Sequence, residues 1–317
     1  MKKNNELPEN LFIILSGPTG TGKSAIALEL AKTIPAEIIN ADSRQFYREI
    51  NVGTAKPSLE AFQQVPHHLY SFLSLKDDFS VFDFRKILEK LVPQIWKRKK
   101  AAILVGGSGL YIRVLLKGIF DFPEEKKEDQ KEIRKILLKE KTENLYKKLK
   151  QVDPEATEKI HPNDKIRIVR ALEVWLITGI PMSQWQQQAE PADFIKRAQV
   201  RYWILNMERD KLYHILDMRT EKMLEGGWLE EVKRIVEDGL KDYLKEKAPI
   251  GYIELCDFLD GKMDWNKTIE TIKKKTKNYA RRQLTWFRKE KEAHWIDVTS
   301  MGHKAAAEFL AKKLMPE

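Results

Sequence analysis

One cysteine in 317 residues, Cys256, leaves no partner for an internal disulfide. It stands in Ile253-Glu254-Leu255-Cys256-Asp257-Phe258, where a thiol is expected to pack as a small buried apolar group. Long apolar runs are missing as well. The polar first ten residues lead into only a strand-length apolar stretch, so neither a signal peptide nor a membrane span is expected and the cytoplasm is the default location. No internal repeat or low-complexity tract occurs. Metal-ligand patterns are equally scarce. His161, His214, His294 and His303 are scattered, and the adjacent His67 and His68 point apart on most backbones, so a structural role is expected for that pair. Acids fall short of bases, 47 against 57, and the net charge of +10 favours an acidic partner, nucleic acid before membrane.

What remains reads as a globular chain, 42% apolar and 33% charged, long enough for about two domains. Its most informative stretch is Leu11-Phe12-Ile13-Ile14-Leu15-Ser16-Gly17-Pro18-Thr19-Gly20-Thr21-Gly22-Lys23-Ser24. A buried strand, a glycine turn and Lys-Ser opening a helix give the phosphate-cradling loop in the context that motif requires. N–H groups at the helix start attract an anion, Lys23 adds a charge, and the Ser24 hydroxyl is placed to meet a magnesium ion. The chain therefore binds a di- or triphosphate, as nucleotide-binding and ATP-binding loops of this kind do.

Further strand-like runs lie at 37–40, Ala101–Val105, 202–205 and 295–298, separated by helical patterns. The fold expected is α/β, a P-loop NTPase-like parallel sheet flanked by helices, with an inserted all-helical domain. The core takes residues 1–118 and 191–317, and the insertion takes 119–190. The insertion starts with a charged linker over 123–128. Ile133, Ile136, Leu137, Leu145 and Leu149 follow at helical spacing; Asp153-Pro154 starts one helix, Asn163 caps the next, and Gly179-Ile180-Pro181 stops it. A helix over 266–292 carries Lys274, Lys277, Arg281, Thr285 and Arg288 on one face, broadened by Lys273, Arg282 and Lys289. With few acids nearby in sequence, that stripe suits a phosphate backbone better than bare solvent. A closing helix is expected over 304–314.

In an open parallel sheet, ligands sit beyond the carboxyl ends of the strands. There the sequence places the phosphate loop, Asn40-Ala41-Asp42-Ser43-Arg44-Gln45 and Val105-Gly106-Gly107-Ser108-Gly109. Asp42 can hold a metal through water, serve as a general base, or cap a following helix; Ser108 can cap a helix or donate to a phosphate oxygen. Arg167 and Arg170 share a helical face and could close over a phosphoryl group. These residues leave open a small-molecule kinase, another phosphate-ester enzyme acting on nucleic acid, and a nucleotide-regulated RNA-binding protein.

Taken jointly, the motifs resemble the bacterial tRNA dimethylallyltransferases (tRNA isopentenyltransferases). The phosphate loop and Asp42-Ser43-Arg44-Gln45-Phe46-Tyr47 carry the resemblance. With them come Gly53-Thr54-Ala55-Lys56-Pro57, Pro66-His67-His68-Leu69, the 79–84 segment and Gly106-Gly107-Ser108-Gly109-Leu110-Tyr111. Arg167-Ile168-Val169-Arg170-Ala171-Leu172-Glu173 and Gln283-Leu284-Thr285-Trp286-Phe287-Arg288 complete it over nearly the whole chain.

The resemblance implies transfer of a dimethylallyl group from dimethylallyl diphosphate to N6 of the adenosine 3′ of the anticodon in tRNA, with magnesium as cofactor. Gly17, Pro18, Thr19, Gly20, Thr21, Gly22, Lys23 and Ser24 would then hold the diphosphate, with Ser24 meeting the metal. Asp42 would be the base, Ser108 would lie near the reacting groups, and Lys23 with Arg219 would steady the leaving group. Asp42, Ser43, Arg44, Gln45 and Ser108 would meet the extruded nucleotide. Arg134, Ile166, Arg167, Ile168, Val169 and Arg170, with Arg281, Arg282, Gln283, Thr285, Trp286 and Arg288, would line the RNA path. A monomer without membrane contact is expected. One departure is that Ala248 and Ile253 flank Gly251-Tyr252 where relatives commonly carry basic residues, which implies a weaker RNA grip there.

Overall fold

The computed structural model describes residues 7–119, 127–247 and 249–314. Met1 to Glu6, residues 123–126 of the expected linker, and Ala248 lie outside the described residues. The chain divides into two compact units, residues 1–113 with 193–317, and residues 114–192.

The first unit is built on a parallel sheet of β1 (Leu11–Ser16), β2 (Ala36–Asn40), β3 (His67–His68), β4 (Ala101–Val105), β5 (Gln199–Asn206) and β6 (His294–Asp297). Its order is β3-β2-β4-β1-β5-β6. β1 is buried over its whole length and pairs with β4 on one side and β5 on the other. An apolar strand covered on both faces suits such a parallel sheet. Among its flanking helices are α1 (Lys23–Thr33), α2 (Leu59–Gln64), α3 (Val81–Lys97) and α4 (Gly109–Lys117), the last running into the second unit.

The second unit holds α5 (Lys127–Lys139), α6 (Thr142–Val152), α7 (Pro154–Lys159), α8 (Lys165–Thr178) and α9 (Met182–Gln187). The first unit resumes with α10 (Arg209–Glu225), α11 (Trp228–Glu237), α12 (Lys241–Lys247), α13 (Tyr252–Leu259), α14 (Trp265–Phe287) and α15 (His303–Lys312).

Alternation along β1 sorts its side chains between two layers. Leu11, Ile13 and Leu15 join a cluster with Ile26 and Leu30 of α1 and Ala306 and Leu310 of α15. On the other face Phe12 meets Phe194 edge-on at 5.1 Å, and the Trp96 indole of α3 donates to the Leu11 carbonyl at 3.0 Å. The sheet is thereby fixed between helices, with its carboxyl edge left for the site. The second unit has its own core, in which Leu145, Leu149, Ile168, Val169 and Leu172 are buried.

Several local expectations need correction. β3 has only two residues, Ile38 pairing with His67 and Ile39 with His68, too few to leave an alternating pattern. The cap of α8 is Asp164, not Asn163: its carboxylate accepts from the Arg167 N–H at 3.2 Å. α14 ends five residues before 292 because Lys289 and Glu290 turn back, donating to the Trp286 and Phe287 carbonyls. Asp153 does cap α7 ahead of Pro154, and Gly179 ends α8 in the left-handed region at φ 71°.

Candidate active site

β1 delivers the phosphate loop to the carboxyl edge of the sheet. Gly17 adopts φ 140°, and a Cβ there would run into the Leu205 carbonyl of β5, so only glycine fits. Gly22, also left-handed, begins α1 with no side-chain cap and no acid in the first turn. The N–H groups of Gly20, Thr21, Gly22, Lys23 and Ser24 donate to no other described residue. Such a row at a helix start is an anion cradle.

The loop is braced from within. Thr21 Oγ1 and Lys23 Nζ both donate to the Pro18 carbonyl, at 2.9 and 2.7 Å. Arg219, on α10, donates to Thr19 Oγ1 at 3.0 Å. Burial, then the Arg219 charge, brings the Lys23 ammonium down to about 7, against the pull of Asp42. Three charged groups thus share one small space before any ligand enters.

Asp42 follows β2. Its N–H donates to Asn40 Oδ1 at 2.8 Å, and its Oδ1 accepts from the Arg44 N–H at 2.9 Å. That is a side-chain turn, not a helix cap, because no helix follows. Oδ2 accepts from no described residue. Ser16 Oγ donates to the Gly106 carbonyl at 2.7 Å, tying β1 to the glycine turn after β4. A Cβ on Gly106 would strike the Ala41 backbone, which lets the Asp42 and Ser108 turns approach each other. Ser108 directly precedes α4; its carbonyl accepts from the Tyr111 N–H at 3.1 Å, and its hydroxyl bonds no described residue.

A pocket of ≈ 320 Å³ opens beside this cluster. Thr19, Asp42, Ser43, Arg44 and Arg219 supply polar wall, with Arg282 and Tyr279 of α14. Leu216, Met223, Trp228 and Ile250 make the apolar wall. Sequence reading misses that apolar set, along with Pro249, Thr220 and Thr276; of the remaining wall, Gly53 and Thr54 stand in a motif legible in sequence. Trp228 packs where Gly53 and Gly251 have no side chain, a contact between residues far apart in sequence. Buried Glu231 holds the neighbouring loop, accepting from the Asn51 and Val52 N–H groups at 3.0 Å each and from the Tyr252 hydroxyl at 2.5 Å.

Other expected residues lie elsewhere. Gln45 is buried and donates to the Thr54 carbonyl at 2.9 Å, so its amide is spent on the pocket wall. Ile168 and Val169, 0% and 1% exposed, are core and present no side chain to an RNA. Gln283 is buried against the phosphate loop, and Trp286 packs on Gly109 at the start of α4. Ile166 remains 62% exposed. Arg134 and Arg170 both reach the buried Glu173 carboxylate, at 3.3 and 3.2 Å, and Arg167 reaches Asp164 at 3.4 Å.

The basic stripe also needs revision. Lys273, Lys275 and Lys277 pair with Glu221, Glu254 and Asp217, at 2.5, 2.5 and 2.7 Å. Arg281, Arg282 and Arg288 are exposed and meet no acid among the described residues; Arg282 lies over the Tyr279 ring at 5.8 Å. Thr285, also exposed, donates to the Arg281 carbonyl at 3.0 Å. Among the described residues, the stripe cations that meet no acid run from Lys274 through Arg281 and Arg282 to Arg288, just past the end of α14. His67 Nδ1 and His68 Nε2 are spent locally, donating to the Val65 carbonyl and to the Glu37 carboxylate, each at 2.7 Å.

A central parallel strand feeding a phosphate loop, with Asp42 and two cations beside it and an apolar wall beyond, is the site architecture of a P-loop-like fold. The family pattern described as IPP transferase matches residues 45–290. The chain is 42% identical over 308 residues to tRNA dimethylallyltransferase 1 of Citrifermentans bemidjiense, covering 94% of this chain and 97% of that one. It is 42% identical over 286 residues to the tRNA dimethylallyltransferase of Geobacter metallireducens, covering 90% and 92%. Among solved structures, the tRNA isopentenylpyrophosphate transferase of Staphylococcus epidermidis aligns with TM-score 0.68 and 32% identity, covering 96% and 98%. A eukaryotic dimethylallyltransferase described as acting on tRNA aligns with TM-score 0.79 and 26% identity, covering 95% of this chain and 77% of that one. The chain belongs to the tRNA dimethylallyltransferase family, and its members are prenyltransferases.

Proposed function

We propose that this chain, a cytoplasmic monomer, transfers a dimethylallyl group from dimethylallyl diphosphate to N6 of the adenosine 3′-adjacent to the anticodon of tRNA, position 37. The products are N6-isopentenyladenosine and diphosphate. The observation that carries the reading is Asp42, with an unbonded Oδ2, lining the pocket beside an anion cradle. The N6 lone pair is delocalised into the adenine ring, so attack needs a base. As the N6–C1 bond forms and the allylic C1–O bond breaks, the N6 proton passes to Asp42 and the electron pair leaves on diphosphate. Loop N–H groups, Lys23 and Arg219 stabilise that leaving charge. Ser108, beside the Gly106-Gly107 turn, would donate to it.

Magnesium would be held here by Ser24 together with the ligand's own oxygens and water. Among the described residues no group of three His, Cys, Asp or Glu could cage a metal. The Ser24 hydroxyl, exposed in the first turn of α1, supplies one ligand, the kind of sparse protein contribution this ion takes alongside phosphate oxygens and water. When bound, it neutralises diphosphate charge.

The target base must leave its stack to reach Asp42, which lies in a pocket rather than on a surface. Ser43 and Arg44 would receive it. Arg281, Arg282 and Arg288 support contact with RNA phosphate, and the helical unit at 114–192 would grip the anticodon stem through Ile166, Arg134, Arg167 and Arg170. The test is transfer of radiolabel from dimethylallyl diphosphate to an anticodon stem-loop. Label that disappears when the 3′-adjacent adenosine becomes guanosine supports the proposal. Absence of label, with phosphate passing from ATP to a metabolite, would replace it with a kinase.

A further inference from the structure

The phosphate loop does not hold its own shape at Thr19; an amide from α14 holds it. Gln283 is 6% exposed, its Oε1 accepts from the Thr19 N–H at 2.8 Å, and its Nε2 donates to the Gly107 carbonyl at 2.9 Å. The amide orientation is forced by chemistry, because an N–H needs an acceptor and a carbonyl needs a donor. One side chain therefore spans the gap between the ends of β1 and β4, and Ser108 is the next residue after its second anchor. Gly107 is part of the fit: a Cβ there would occupy the Gln283 nitrogen's place. Because Thr19 gives its N–H to Gln283, that donor is turned away from the row at Gly20 to Ser24, which stays free.

We infer that Gln283 is a positioning residue of the diphosphate site, acting through the Thr19 and Gly107 backbone, and not an RNA contact. Its neighbours on the same turn of α14 are both exposed, Arg281 on the surface and Arg282 at the pocket wall. The helix thus works in two directions, with cations outside and an amide within. The inference rests on the reading that the loop takes a diphosphate.

The test compares Gln283→Leu, which removes both hydrogen bonds, with Gln283→Glu. The glutamate keeps an acceptor for Thr19 but cannot donate to Gly107 and adds negative charge near the loop. Inorganic diphosphate with magnesium is titrated calorimetrically into each full-length variant, and a stem-loop RNA is titrated separately over a range of salt. The diphosphate Kd should weaken about tenfold in Gln283→Leu and further in Gln283→Glu. RNA affinity, salt slope and melting temperature should stay near those of the parent chain.

Diphosphate affinity within twofold of the parent in both variants would overturn the assignment. So would RNA affinity or melting temperature falling in step with diphosphate affinity, since that marks an RNA contact or a general packing role. If Gln283→Leu does not fold, Gln283→Glu decides alone. Neither titration needs prenyl transfer, so failure of the transfer assay would sink the proposed reaction without touching this result.

Discussion

Replacing Asp42 by asparagine removes a charge and a base while leaving the local turn intact. The amide oxygen can still accept from the Arg44 N–H, as Oδ1 does at 2.9 Å, so Ser43 and Arg44 should keep their places. What goes is the unbonded Oδ2 and the negative charge that offsets Lys23 and Arg219. Loss of general-base help costs about 10²–10⁴-fold in rate, or roughly 3–5 kcal/mol of barrier. The same substitution has a second signature. Asp42 raises the Lys23 ammonium against burial and Arg219, so without it the Lys23 midpoint must move below about 7. Single-turnover transfer of labelled dimethylallyl to a stem-loop gives the first quantity, and diphosphate titration across pH gives the second. RNA binding should be spared. A rate within about threefold of the parent would remove Asp42 from the chemistry, and an unmoved midpoint would show that its charge does not reach Lys23.

Three more outcomes are expected. Lys23 is charged below about 7 and neutral above it, so the diphosphate affinity of the parent, measured relative to Lys23→Arg, should fall as pH rises through 7; a flat ratio would refute the coupling. Arg281→Ala with Arg288→Ala should lower the salt slope of RNA binding by about 0.7–0.9 for each phosphate no longer neutralised, and an unchanged slope would mark the two as solvent-facing only. Burial would raise the Glu37 carboxyl, but hydrogen bonds from Arg98, His68 and Lys100 bring it from 4.5 down to about 2. A depressed carboxyl stabilises the fold above its unfolded value, so that contribution should be lost as pH falls from 4.5 towards 2. Glu37→Gln should cost about 1–3 kcal/mol at neutral pH and flatten the acid limb of a denaturation series; an unchanged limb would dismiss the cluster.

The parts legible in sequence were those whose physics is local. A strand apolar on both faces, a glycine spacing and a Lys-Ser helix start can be read within fourteen residues, and β1 with its loop lies where they put it. Asp153-Pro154 is equally local. The one-residue error at the α8 cap arose because Asn163 and Asp164 are both competent caps and only the backbone chooses between them. The acids that quiet Lys273 and Lys277 of the basic stripe, Glu221 and Asp217, come from α10, and the Glu254 that pairs with neighbouring Lys275 comes from α13, so no window along α14 could reveal them. Gln283 was hidden for a similar reason. A glutamine between arginine and leucine gives no sign that it turns inward to a loop 264 residues away. The apolar wall of the pocket, Leu216, Met223 and Trp228, looks like ordinary helix core until the fold brings it opposite Asp42.

The pairing of β1 with β5 also sets a clock on synthesis. Leu11 pairs with Gln199 and Ser16 with Ile204, so one edge of the central strand waits for almost two-thirds of the chain. At roughly 5–20 residues per second, that edge stays open for about 10–40 s on the ribosome. Throughout the wait, a strand apolar from Leu11 to Leu15 presents unpaired N–H and C=O groups along that edge, the template on which nascent chains aggregate. The turn at Gly17 gains the Leu205 carbonyl as its backstop only at the end of that interval. A chain truncated before β5 should therefore need a chaperone, whatever the state of its phosphate loop.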